Sequence, residues 1–89
     1  MTVKYESVFD AIADSPEEAL NMKLRSSLIR EIRTRITAAG WKQAETALQL
    51  GVTQPRVSDL LNGKLSKFSL DALVNMLARL GGDVELKVA

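Results

Sequence analysis

The chain has 89 residues, 46% of them apolar, and a net charge of +1, the profile of one small folded domain rather than a disordered segment. It contains neither cysteine nor histidine, so disulfides, thiolate metal sites and the commonest general base are absent, and neither an enzyme nor a metal or cofactor is expected. No apolar run reaches the roughly 20 residues of a membrane span, and the N-terminus lacks the charged-then-apolar order of a signal peptide, which makes the cytoplasm the expected compartment.

The small net charge hides an uneven distribution. Residues 1–22 carry −4, residues 23–67 carry +6 and residues 68–89 carry −1. A positive middle suits a phosphate backbone, because Lys and Arg contacts release condensed counterions. A solvated helical surface explains it equally well.

In chain order, residues 2–6 alternate like a strand, and residues 7–13 fit one short helical turn. Ser15-Pro16-Glu17-Glu18 is a helix start: Ser15 caps, Pro16 fits the first position, and Glu18 completes a capping box beside the positive dipole end. The helix runs to Ala39, where Gly40 supplies a left-handed stop. Leu20, Leu24, Leu28, Ile32 and Ile36, widened by Ile29, form its core stripe. Arg25, Arg30, Arg33 and Arg35 lie mostly off the stripe, toward solvent. Short helices follow at residues 43–50, closed by Gly51, and 54–62, closed by Gly63. A further helix at residues 70–80 has Ser69 as N-cap, Asp71 in its first turn and Gly81-Gly82 as its stop. Leu70, Leu73, Val74, Leu77 and Leu80 give it one apolar stripe. Residues 83–88 alternate with period two and read as a strand with Val84, Leu86 and Val88 on one face. Three regions result: an N-terminal segment (1–14) for pairing or partner binding, a helical domain (15–82), and a C-terminal strand (83–89) for dimerisation.

Residues 43–62 carry the functional signal. Two helices that cross steeply over a short turn need a small residue at the crossing, and Ala47 supplies it. The turn needs positive φ, which Gly51 tolerates four residues later. Val52 plugs the turn into the core, Val57 and Leu60 pack the second helix from inside, and Thr53 caps it. Pro55 fits in its first turn, where the N–H has no intrahelical partner. Trp41, just before the first of these helices, is read as a core anchor. Singly these features are common; in one register over about 20 residues they specify a helix-turn-helix.

The stretch resembles the XRE/Cro family of repressors. From Ser15 onward the chain is similar to the small HigA-like antitoxins of type II toxin–antitoxin pairs, through Ser15-Pro16-Glu17-Glu18-Ala19, Thr53-Gln54-Pro55-Arg56-Val57-Ser58-Asp59-Leu60, Lys67-Phe68-Ser69-Leu70-Asp71 and residues 81–88. The resemblance implies a mainly α, four- to five-helix repressor-like domain with a helix-turn-helix and a short C-terminal strand. It implies that residues 53–62 enter the major groove, with Thr53, Gln54, Arg56, Ser58 and Asp59 as base-edge candidates. Gln54 suits adenine, and Arg56 suits guanine or a phosphate. Asp59 can accept only from cytosine N4 or else orient Arg56. Gln43, Asn62, Lys64 and Lys67 are the phosphate candidates. The implied partners are a palindromic operator in double-stranded DNA, a second copy of the chain, and a RelE/HigB-like toxin, for which acidic residues 1–18 offer a surface. A stand-alone or phage-derived repressor fits the same residues, and a protein-interaction module that has lost DNA binding is the reading from another class. The final strand can pair with residues 2–6 of its own chain or with its own copy across a two-fold; reading a palindrome favours the second.

Overall fold

The computed structural model describes residues 2–5 and 15–88, with side chains over residues 15–85. Four α-helices are present among the described residues: α1 (Pro16–Ala39), α2 (Gln43–Leu50), α3 (Gln54–Leu61) and α4 (Leu70–Arg79). A single 3₁₀ turn at Leu65–Lys67 lies between α3 and α4. Strands β1 (Thr2–Tyr5) and β2 (Glu85–Val88) form a two-stranded parallel sheet in which Thr2 faces Glu85 and Tyr5 faces Val88. No helix among the described residues is long and apolar enough to cross a membrane. The helical turn expected at residues 7–13 lies outside the described residues.

Local chemistry sets the helix boundaries. The hydroxyls of Ser15, Thr53 and Ser69 accept from the N–H of Glu18, Arg56 and Ala72 at 3.1, 3.4 and 3.1 Å, so α1, α3 and α4 each start on a side-chain cap. Three helices end in the same Schellman pattern, a long backbone bond enclosing a shorter one. The pairs are Val52 to Ala47 with Gly51 to Leu48, Lys64 to Asp59 with Gly63 to Leu60, and Gly82 to Leu77 with Gly81 to Ala78.

The core joins Leu28, Ile29, Ile32 and Ile36 of α1 to Leu50, Leu60, Phe68, Leu73, Met76 and Leu77. Trp41, Val52 and Val84 pack against it from the rim. Two expected stripes are corrected. A four-residue step overshoots a helical turn by about 40°, so four steps back from Ile36 bring Leu20 about 160° round, where it is exposed. Arg25 falls within the buried stripe instead, and its Nη1 donates to the Leu65 carbonyl at 2.8 Å. Arg35 is likewise engaged, with Glu31 at 3.1 Å and the Leu80 carbonyl at 3.4 Å. On α4 Val74 is exposed and Met76 takes its place in the core.

Of the two partners open to the final strand, residues 2–5 of its own chain take one edge: β2 runs parallel to β1. Val84, expected at a dimer interface, precedes β2 and packs on its own chain's core. The side chains of Leu86 and Val88 lie outside the described residues.

Candidate nucleic-acid interface

α2, a turn centred on Gly51, and α3 form the packed helix pair that the spacing predicts. Ala47 is buried at the crossing, Gly51 has φ +70°, and Val57 and Leu60 of α3 are fully enclosed. Thr46 is also buried, its hydroxyl donating back to the Lys42 carbonyl at 2.9 Å. The motif therefore satisfies its one buried polar side chain internally.

Burial of Val57 and Leu60 fixes which side of α3 faces out. At about 100° per residue, Pro55 and Asn62 stand nearly opposite the buried stripe, with Ser58 and Asp59 about 130° from its centre. Gln54 lies at the edge of this face, exposed beside Thr53 and Pro55 at the open N-terminal end of the helix. The structure thus brings Gln54, Pro55, Ser58, Asp59 and Asn62 onto one outward surface.

Arg56 departs from that surface. It lies only about 70° from the centre of the buried stripe, and its guanidinium sits over the Phe68 ring, 4.2 Å from the centroid. Nη1 also donates to the Lys67 carbonyl at 2.5 Å. In this conformation Arg56 ties α3 to the segment leading into α4 and is not presented as a base reader.

Asp59 does not orient Arg56 either. One carboxylate oxygen pairs with Lys64 Nζ at 3.5 Å and the other with Lys67 Nζ at 3.8 Å. These pairs escaped the sequence reading because the lysines reach Asp59 only after the chain reverses at Gly63.

Gln43 is exposed at the first position of α2, and Lys42 before it makes no side-chain cap. α2 therefore starts without the hydroxyl cap found on α1, α3 and α4, leaving its first-turn N–H groups for another acceptor. A second cationic stretch lies on α1, where exposed Arg30 and Arg33 line an open groove with Thr34, Thr37 and Ala38. Both threonine hydroxyls donate to carbonyls of their own helix at 2.9 Å. The sequence placed these two arginines off the core stripe, as their spacing from Ile32, two and one positions away, requires, but named neither as a phosphate contact.

A family model described as a helix-turn-helix domain matches residues 11–89. A solved chain assigned to the XRE family of transcriptional regulators is 35% identical, superposes with a TM-score of 0.72, and is matched over 78% of each chain. No curated protein sequence matches. The buried crossing at Ala47, the left-handed turn at Gly51 and these two matches agree: the chain belongs to the helix-turn-helix family, in its XRE type.

Proposed function

We propose that this protein is a homodimeric, sequence-specific transcriptional repressor that reads a palindromic operator with α3. The observation that carries the proposal is the two-sidedness of that helix. Val57 and Leu60 are fully enclosed, while hydrogen-bonding side chains of a size to reach base edges share the outward face. Gln54 is the principal base reader, because its amide can bond adenine N6 and N7 together; Thr53 and Ser58 reach the same edges. Gln43 and the uncapped start of α2 hold one phosphate strand, and Asn62, Lys64 and Lys67 hold the backbone beyond α3. Arg56 serves by positioning rather than by reading.

A palindrome needs two copies with their recognition helices about 34–36 Å apart. A two-stranded sheet has two outer edges, and pairing of β2 with its counterpart in a second copy remains compatible with its bond to β1. The leading biological role is the antitoxin of a type II pair that represses its own operon, with acidic residues 1–18 meeting a basic toxin. The resemblance stretches named above support that role, and a stand-alone or phage-derived repressor is its rival within the same DNA-binding class.

The test is titration of genomic fragments with Gln54→Ala and Lys64→Ala over a range of salt, with sedimentation of the free protein reporting the dimer. Gln54→Ala should lose about 1–3 kcal/mol on the preferred site and relax base preference. Lys64→Ala should weaken all duplexes alike and flatten the salt slope by about one unit. Unchanged affinity in both variants would sink the DNA-reading proposal, and a monomer at working concentration would sink its dimeric form.

A further inference from the structure

A carboxylate on the outward face of α3 is an odd group to point at a polyanion. Asp59 is nonetheless held there firmly. Its own carbonyl accepts from the backbone N–H of Lys64 at 3.1 Å, and the Lys64 carbonyl accepts from the N–H of Lys67 at 3.1 Å. The Lys67 carbonyl is in turn bound by Arg56. Both lysines are therefore tied by backbone to the helix end that carries Asp59, and each ammonium takes one oxygen of the same carboxylate. The carboxylate is mostly covered, at 22% exposure, while the lysine side chains remain about half exposed at 51% and 54%.

Two oxygens on one centre, each facing a lysine, is the arrangement that a backbone phosphate presents to a pair of cations. We propose that Asp59 is a built-in counter-ion, a phosphate surrogate that occupies Lys64 and Lys67 in the free protein and lowers affinity for DNA of arbitrary sequence. This rests on the DNA-binding reading above and adds to it a residue that sets how tightly DNA of any sequence is held. A phosphate that engages the lysines must compete with Asp59. Once displaced, the carboxylate faces the duplex and takes up a solvent cation, which cancels part of the counterion release that drives non-specific binding. Because those phosphate contacts are made to every duplex, the penalty falls on all sequences alike and leaves the ratio between sites to the base-edge contacts of α3.

The decisive experiment compares wild type with Asp59→Asn, which keeps the shape and removes the charge, on a random-sequence duplex across salt. Asp59→Ser serves as a second neutral variant, and thermal melts of both confirm folding. Non-specific affinity should rise about 3- to 10-fold at moderate salt, and the salt slope should steepen by up to about one unit. The gain should vanish when Lys64 and Lys67 are both alanine. Unchanged or weaker binding by both folded neutral variants overturns the counter-ion role, as does a gain that persists without the lysines. Altered preference at one base pair with unchanged non-specific affinity overturns it in favour of direct cytosine reading. If wild type and every variant bind no duplex at low salt, the DNA-binding reading fails and takes this role with it; if Lys64→Ala weakens binding while Asp59→Asn matches wild type, only the counter-ion role fails.

Discussion

Gly51 is the position where a single methyl group tests the motif. It closes α2 at φ +70°, and its N–H together with that of Val52 satisfies the last carbonyls of the helix at 3.3 and 3.0 Å. A side chain there faces two separable costs. The left-handed backbone costs an L-residue about 1–2 kcal/mol, of which Ala recovers about 0.4–1 kcal/mol by restricting the unfolded chain. A Cβ would also stand 2.7 Å from Nη2 and 3.0 Å from Cζ of Arg79. That contact is the far end of an exposed, flexible side chain, so it yields cheaply. Gly51→Ala should therefore lose about 1 kcal/mol, roughly 4–8 °C in Tm for a domain of this size, and β-branched Gly51→Val about 2 kcal/mol or more. Urea or thermal unfolding measures the loss, and repetition in an Arg79→Ala background separates the two causes. Backbone strain leaves the cost unchanged there. If the cost disappears with Arg79, the strain argument is refuted; if Gly51→Val keeps full stability and full DNA affinity, the turn does not set the angle of α3.

Gly82→Ala should destabilise for a different reason, because its Cβ would sit 2.7 Å from Cδ1 and 2.8 Å from Cγ of fully buried Leu77. Forcing that side chain aside should cost about 1–3 kcal/mol in chemical denaturation, and a neutral result would mean that the α4–β2 connection is free to shift. Arg56→Ala should lower stability without DNA by about 1–2 kcal/mol, through the lost Phe68 stack and the lost bond to Lys67. Arg56→Lys should recover only part of it, since an ammonium lacks the planar stacking surface; a melting curve unchanged in both would make Arg56 a free surface residue.

The parts of this fold that were readable in the sequence are those governed by neighbours along the chain. Ser15, Thr53 and Ser69 cap the helices they precede, and Gly40 and Gly51 stop helices in the left-handed region, because each arrangement spans only a few residues. Val57 and Leu60 could be placed inside α3 because spacing alone brings them to one face. What escaped depends on where separate elements meet. Arg25 lies on the apolar side of α1 by its angle on that helix, but the acceptor that satisfies it there, the Leu65 carbonyl, stands forty residues away. Arg56 looked like a groove reader from its place in the motif, yet its angle on the helix puts it beside Phe68, whose position follows from the 3₁₀ turn that no periodicity announced. Val74 and Met76 on α4 exchanged roles because either would complete an apolar stripe, and only the packed partner chooses between them.

The same contacts hold an eight-residue helix rigid enough for the reading role proposed for it. A helix as short as α3 is marginal alone in water, so its order must come from its ends and its inner face. Thr53 caps the start, immediately after the Gly51 turn has fixed the entry direction. Val57 and Leu60, with no exposed surface, fasten the middle. At the far end the chain reverses through Gly63, Lys64 returns a backbone bond to Asp59, and Arg56 clamps the following segment against Phe68. Each fastening uses a group on the inner or terminal parts of α3 and leaves Gln54, Ser58 and Asn62 unspent. Ordering the backbone during folding removes that entropic cost from binding. On the proposed reading, stability and recognition fall on different residues of one short helix, with Asp59 at the boundary: its backbone belongs to the fold, and its carboxylate to the charge balance of the proposed DNA-facing surface.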